Sequence, residues 1–248
     1  MALEGYFIIA SSSVKKIPVE ASNISPTVFL STVGLTGLTA YFGITEDAHV
    51  TKGANQTVVV SGAAGATGSA AGQIAKLEGC GQVVGICGSD SKCACLTEEL
   101  GFDSAINYKT EVVAEKLKEL CPGGVDVYFD NVGGSISDDV IRLMNPDSYV
   151  VLCGQIAIYN KNLPYPPPVP DEISAILETK NITRKRFLVL TYQEKFESAF
   201  DKLLELHTTG KIKVKETIEM GLSNTGRAFV SMMKGGNLGK QLVKVTEE

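Results

Sequence analysis

Thr57-Val-Val-Val-Ser-Gly-Ala-Ala-Gly-Ala-Thr-Gly-Ser69 decides how this 248-residue chain is read. Val58-Val59-Val60 within it are β-branched and apolar, as suits a strand covered on both faces. The chain then runs through Ala63-x-Gly65-x-x-Gly68 into a helix-compatible stretch, so one strand feeds one helix through a turn of small residues. Outward from this unit, short apolar runs near Gln82–Cys87, Ser104–Asn107, Val125–Asp130 and Ser148–Cys153 alternate with helical patterns. The helices are expected over Thr67–Gly79, Ser91–Leu100, Thr110–Leu120 and Ser135–Met144, each closing near Gly, Pro or Asn. That rhythm predicts an α/β fold built on a doubly wound parallel Rossmann sheet.

Past Gly154 the rhythm breaks at Leu163-Pro-Tyr-Pro-Pro-Pro-Val-Pro170, a stiff extended segment that cannot join a central strand because proline offers no donor. It reads as a lid or as a plain connector. Arg186–Leu190 is expected as a sixth strand and Lys195–Thr208 as an amphipathic helix. The alternating Lys211–Thr217, a short helix over Asn224–Met233, a Gly235-Gly236-Asn237 turn and a final strand over Gln241–Val245 complete the tail. The first 31 residues offer strands at Tyr6–Ile9 and Val14–Val19, then a helix-like run ending near Gly34–Gly37. They are too few to bury a core alone.

Composition excludes several classes of function. With 44% hydrophobic residues, 21% charged residues and a net charge of −5, the chain can bury a sizeable core and has no basic excess to coat nucleic acid. No apolar run approaches the ~18 residues that span a bilayer, and Met1-Ala-Leu-Glu-Gly lacks the pattern of a secretory signal. Six scattered cysteines without disulfide or zinc-knuckle spacing fit reduced thiols and a cytoplasmic address. Only His49 and His207 are present, too few for a histidine-rich metal site or a Ser-His-Asp triad, and His207 reads as a surface residue on its helix. Asn181-Ile182-Thr183 matches a glycosylation sequon by chance.

The strand–turn–helix placement raises the glycine loop above a simple tight turn, since backbone N–H groups at the helix start can face a pyrophosphate. Gly65 permits close approach of the backbone and Gly68 close packing of the helix. Strand two ends in Cys87-Gly88-Ser89, without the acid that would accept a hydrogen bond from an adenosine ribose. Small residues there leave room for a 2′-phosphate, and Lys92 neutralises it, so NADPH/NADP+ is expected rather than NAD; otherwise Lys92 is a solvated helix-start residue. Tyr108, after strand three, can add a phenolic hydrogen bond. Asn131, after strand four, lies at the carboxyl edge where such folds bind ligands, though it equally suits a turn before Gly133-Gly134.

Val60–Ser69, Gly101-Phe-Asp-Ser-Ala-Ile-Asn-Tyr108, Val125-Asp-Val-Tyr-Phe-Asp-Asn-Val-Gly-Gly134 and Cys153-Gly-Gln155 together resemble the zinc-independent medium-chain dehydrogenase/reductases. Asn160-Lys-Asn-Leu-Pro-Tyr-Pro-Pro-Pro168, Asn181–Val189 and Met232-Met-Lys-Gly-Gly-Asn-Leu-Gly-Lys240 are far more specific, and narrow the likeness to the branch that reduces oxidised prostaglandins. The resemblance implies NADPH-dependent reduction of the enone double bond of 15-oxoprostaglandins. It implies cofactor contacts from Gly65, Ala66, Thr67, Gly68, Lys92, Tyr108, Asn131, Asn237 and the loop Cys153, Gly154, Gln155, Ile156, Ala157, Ile158 and Tyr159. Phe187, Leu188 and Val189 would line the substrate channel. Tyr159 is the candidate catalytic residue: hydride addition to the β-carbon drives negative charge onto the carbonyl oxygen, where a protonated phenol can donate. Without the family, Tyr159 is a wall residue of a polar loop.

Family members carry roughly a hundred further residues at the N-terminus, most of a GroES-like domain, so this chain is expected to be N-terminally truncated. The expected division is 1–31 as the remnant of that domain, 32–190 as the NADP-binding Rossmann domain and 191–248 as the return to the catalytic domain. Ser31-Thr-Val-Gly-Leu-Thr-Gly-Leu38, where zinc-dependent relatives place a late ligand, offers neither cysteine nor acid, so no metal is expected. The expected partner is a small lipid enone, with no nucleic acid and no membrane insertion, bound by a monomer or homodimer. A broader quinone or alkenal reductase and a truncated, inactive NADP-binding protein stand as alternatives.

Overall fold

In the computed structural model, residues 23–245 are described without a break, preceded by Ala10, Ser11, Val14 and Ile17. The strand expected at Tyr6–Ile9 therefore lies outside the described residues, and so does the one at Val14–Val19 apart from Val14 and Ile17, which are in neither helix nor strand. A single 3-10 turn, Pro26–Leu30, leads into α1 (Leu35–Phe42). The helix thus begins where the sequence pattern suggested one would end. Gly34 and Gly37 account for this: a Cβ at either would fall within about 2 Å of the Phe29 or Thr32 carbonyl oxygen, so α1 packs on the preceding turn only through glycine.

The sheet comprises β1 (Thr57–Ser61), β2 (Gln82–Cys87), β3 (Ser104–Asn107), β4 (Val125–Asp130), β5 (Met144–Leu152) and β6 (Thr183–Arg186). All pairings are parallel and the spatial order is β3-β2-β1-β4-β5-β6, so the chain reverses direction across the sheet between β1 and β4. Helices α2 (Ala66–Leu77), α3 (Asp90–Ala94), α4 (Val113–Leu120) and α5 (Gly134–Leu143) connect the strands. Alternate strand residues feed two cores. Val58, Val60, Val127 and Phe129 face α1, α2 and the helix over Phe196–Thr208, whereas Val59, Val84, Ile106 and Tyr128 face α4 and α5. This two-faced burial is why the strands read as unbroken apolar runs.

The structure departs from the sequence pattern at four points. The sixth strand is Thr183–Arg186, not Arg186–Leu190; main-chain pairing of Tyr149–Leu152 with Thr183–Arg186 outweighs the more apolar run that follows, which turns into a 3-10 segment over Val189–Lys195. Between the proline segment and β6 lies an unforeseen helix, α6 (Asp171–Thr179), opened by Asp171 and Glu172 in its first turn. The alternating Lys211–Thr217 enters a strand only at its end, in β7 (Glu216–Met220). His207 is half-buried on α7 (Phe196–Thr208), its Nδ1 enclosed without a hydrogen-bond partner.

In the tail, β7, α8 (Thr225–Met233) and β8 (Lys240–Lys244) form a separate two-stranded parallel sheet with its helix. Gln73, buried on α2, reaches this tail: its Nε2 donates to the Ser69 and Lys213 carbonyls and its Oε1 accepts from the Lys213 amide at 2.7 Å. The Gly239 amide donates to Ala64 O at 2.7 Å, so the tail also closes on the glycine loop. Helix α7 stays with the sheet, burying Ala199, Leu203 and Leu206 in its larger core. The Phe29 and Phe200 rings stack at 5.9 Å, and Ser31 Oγ donates to Glu216 at 2.7 Å, joining the early segment to the later chain. Among the described residues no helix is long and apolar enough to cross a membrane.

Candidate functional site

A cleft of about 720 Å³ opens at the carboxyl edge of the sheet, over the β1/β4 reversal, where open α/β sheets bind their ligands. Its floor is the glycine loop. Gly65 precedes the first turn of α2, and the early N–H groups of a helix have no partner within it. A Cβ at Gly68 would lie 2.4 Å from Gly62 O, so this approach of helix to loop requires glycine. Gly65, Ala66, Thr67 and Gly68 all face the cleft, as the sequence led one to expect.

At one end stand Lys92 and Tyr108. The Tyr108 ring rests against Gly88, whose Cβ would sit 2.9 Å from it, so the small residue after β2 makes room for the phenol. Lys92 Nζ donates to the Gly235 carbonyl at 2.7 Å, and burial lowers its pKa from the ordinary lysine value. Lys109 lies 6.0 Å from the Tyr108 ring. The nearest acid, Asp90, is turned away: its Oδ1 accepts from the Asn107 amide at 2.7 Å. This end therefore offers the cleft a lysine and a phenol, with Lys109 behind the phenol, a set suited to a phosphate group.

At the other end, the turn after β4 and the loop after β5 run side by side. The Gly154 amide donates to Asp130 O at 2.9 Å and the Ala157 amide to Val132 O at 3.0 Å. Asn131 donates from Nδ2 to Ser61 O at 2.7 Å, bridging the ends of β4 and β1 while lining the cleft. Tyr159 folds back over Gly154, and its Oη accepts from the Gln155 amide at 3.3 Å, which leaves the hydroxyl hydrogen for another acceptor. Cys153, half-buried at the start of this loop, has its thiol pushed up to about 12 by desolvation and then by the Asp130 charge. Asn237 lines the cleft from the tail, its Nδ2 donating to Gly239 O at 2.7 Å.

The expected residues do not all converge. Gln155 is buried and points beneath the loop, and Ile158 does not line the cleft. Phe187 and Val189 are buried in the core and Leu188 is exposed, all three after β6 and away from the cleft wall. The proline segment is fastened along β5 and β6 by Tyr165 Oη donating to Leu152 O and by Arg184 donating to Pro167 O.

Sequence reading missed the group that organises this end. Asp130, fully buried, accepts on Oδ1 from Ser61 Oγ, Tyr128 Oη and the Val132 and Gly133 amides, at 2.9 to 3.2 Å. On Oδ2 it accepts from Ser137 Oγ at 2.6 Å and Gln155 Nε2 at 2.8 Å. One carboxylate thereby ties β1, β4, α5 and the Tyr159 loop together. Burial beside this carboxylate raises Tyr128 well above the usual phenol value, which keeps it a donor. The signal was an acid ending the apolar Val125-Asp-Val-Tyr-Phe-Asp130. Ser135, Ile136 and the Met232–Gln241 stretch also line the cleft and were not foreseen in full.

Residues 66–205 match the family described as zinc-binding dehydrogenase. Prostaglandin reductase 1 of Rattus norvegicus is 42% identical over 237 residues, covering 94% of this chain and 70% of that protein. Prostaglandin reductase 1 of Sus scrofa is 46% identical over 217 residues, covering 87% of this chain and 64% of that protein. CurA of Vibrio vulnificus, solved in complex with NADPH, superposes with a TM-score of 0.84 at 36% identity, over 91% of this chain and 66% of that one. The chain thus spans about two thirds of each relative.

Proposed function

The chain belongs to the zinc-independent medium-chain dehydrogenase/reductase family, and on that footing we propose that it is an NADPH-dependent enone reductase. The observation that carries this is one cleft with the glycine loop as floor, Lys92 and Tyr108 at one end and Tyr159 at the other. The cleft's size suits a dinucleotide with a small-molecule substrate beside it, and the relative solved with NADPH shares the fold. In this reading the loop amides at Gly65–Gly68 receive the pyrophosphate, and Lys92 and Tyr108 receive the adenosine phosphate. Asn131, Asn237 and the Cys153–Tyr159 loop hold the nicotinamide end.

NADPH, when bound, supplies a hydride. The chain's own part is to orient the substrate carbonyl: Tyr159 donates its hydroxyl hydrogen to the oxygen on which charge develops as hydride reaches the β-carbon, stabilising the enolate. The Gln155 amide fixes that hydroxyl from behind. Water then protonates the α-carbon.

The substrate we propose is a 15-oxoprostaglandin, reduced at its 13,14 double bond. The Asn160–Pro168, Asn181–Val189 and Met232–Lys240 motifs favour this narrower reading, resembling prostaglandin reductase 2, over a general quinone or alkenal reductase. Phe187–Val189 enter it only as the inner wall of a channel completed above β6. With the chain spanning two thirds of its relatives, a second reading is an NADP-binding protein without turnover. We further propose 1–31 and the β7–α8–β8 tail as parts of one catalytic domain around the Rossmann unit.

Following NADPH absorbance with 15-oxoprostaglandin E2 separates these readings. Enone reduction predicts NADPH oxidation that falls about 10²–10³-fold in kcat for Tyr159→Phe. Binding without oxidation across a panel of enones would leave the NADP-binding reading.

A further inference from the structure

The cleft carries a pair of thiols that the proposed reaction does not use. Cys87 ends β2 and lines the cleft; Cys93 follows within α3, six residues on, past the Gly88-Ser89 turn. Their sulfurs lie 3.3 Å apart, the one pair of thiols in mutual contact among the described residues. Lys92 is adjacent in sequence to Cys93, and Gly88, which accommodates Tyr108, is adjacent to Cys87. Both residues assigned to the adenosine phosphate are thus tethered to this pair. A disulfide needs the sulfurs at about 2.05 Å, so bond formation draws the first turn of α3 toward β2 and takes Lys92 with it.

We propose that Cys87 and Cys93 form a reversible dithiol–disulfide site whose oxidation weakens NADPH binding at the Lys92–Tyr108 end of the cleft, an inference that rests on the cofactor reading above. The oxidant is a small disulfide of the glutathione class. Cys93, the more exposed thiol, loses its proton and attacks one sulfur of oxidised glutathione, breaking that S–S bond and releasing one glutathione thiolate. Cys87, deprotonated in turn, attacks Cys93 Sγ, forming the protein disulfide and expelling the second thiolate. The two protons lost by the cysteines appear on the two glutathione thiols. One disulfide is reduced as one is formed.

Burial pushes both thiols up, Cys87 to about 12, so few thiolates exist at neutral pH and exchange quickens as pH rises. Because binding and oxidation share the same residues, linkage makes the coupling reciprocal: bound NADPH resists oxidation by the factor by which oxidation weakens binding.

The test incubates the whole chain with oxidised glutathione at mildly alkaline pH, with and without NADPH. Free thiols are then blocked, peptides are mapped by mass spectrometry, and NADPH fluorescence is titrated before and after. The expected results are a Cys87–Cys93 cross-linked peptide reversed by dithiothreitol and absent from Cys87→Ser and Cys93→Ser. Its formation slows with NADPH present, and NADPH affinity drops roughly tenfold or more, the scale of one lost charge-assisted hydrogen bond. Glutathione left on Cys93 without a cross-link would overturn the proposal, as would a cross-link that leaves NADPH affinity unchanged. If the reduced chain binds no NADPH at all, the cofactor reading fails first, and the peptide map reports separately whether the pair closes.

Discussion

Replacing Asp130 by asparagine isolates the charge of the buried carboxylate while keeping its shape. Six donors converge on it, four on Oδ1 and two on Oδ2. In Asp130→Asn the amide keeps its oxygen toward the four-donor side and turns its NH2 group toward Ser137 and Gln155. The Ser137 hydroxyl can rotate to accept, and the Gln155 amide can flip. What is lost is the strength of charge-assisted bonds, about 1 kcal/mol across each pair that rearranges, so the expected cost is about 2 kcal/mol. Asp130→Ala instead orphans all six neutral donors, each costing about 1–3 kcal/mol when buried and unpaired, so it is expected to be more destabilising than Asp130→Asn by several kcal/mol. Urea denaturation followed by circular dichroism reads both: with a slope of about 2 kcal/mol per molar, Asp130→Asn lowers the midpoint by roughly 1 M. A midpoint unchanged in Asp130→Asn would refute the account of a charged hub. Equal midpoints for Asn and Ala would refute the rearrangement.

Lys92→Ala should weaken NADPH binding roughly tenfold or more while leaving NADH nearly untouched, and equal losses for the two would remove Lys92 from the phosphate site. Burial lowers the Lys92 pKa, so its cation disappears at a lower pH than that of an exposed lysine; the NADPH preference over NADH should narrow as pH rises into the alkaline range, and a constant ratio would contradict this. Gln73→Leu deletes three hydrogen bonds to Ser69 and Lys213 at a cost of about 2–3 kcal/mol, with faster hydrogen exchange at 213–245 than elsewhere. Gly239→Ala places a Cβ 1.8 Å from Lys215 O at a positive φ of 67°, so the tail should detach from the glycine loop, seen as weaker NADPH binding.

The Rossmann half was legible because each of its strands is covered on both faces and each helix is bounded by a glycine, proline or asparagine. β1 through β4 fall where the apolar runs fall. Legibility failed where long-range pairing, not local composition, decides. β6 is Thr183–Arg186, a polar run that edges a sheet, and of the apolar residues after it Phe187 and Val189 are buried without being a strand while Leu188 and Leu190 are exposed. Residues that line the cleft from their own strand end or turn, such as Gly68, Lys92 and Tyr108, could be named from their places in the sequence. Asp130 could not, because its role depends on Ser61, Ser137 and Gln155 arriving from three other elements. The tail's closure on Ala64 was hidden for the same reason: nothing near Gly239 announces a partner 175 residues earlier.

The central claim, hydride delivery to an enone beside Tyr159, is tested most directly by isotope transfer. The whole chain is given 15-oxoprostaglandin E2 and NADPH carrying deuterium at both hydrogens of the nicotinamide C4, and the product is read by mass spectrometry and NMR. The account predicts one deuterium on the former β-carbon, solvent hydrogen on the α-carbon and an intact ketone, with turnover sharply reduced in Tyr159→Phe. Deuterium at the carbonyl carbon, or bound NADPH that is never consumed, would contradict it.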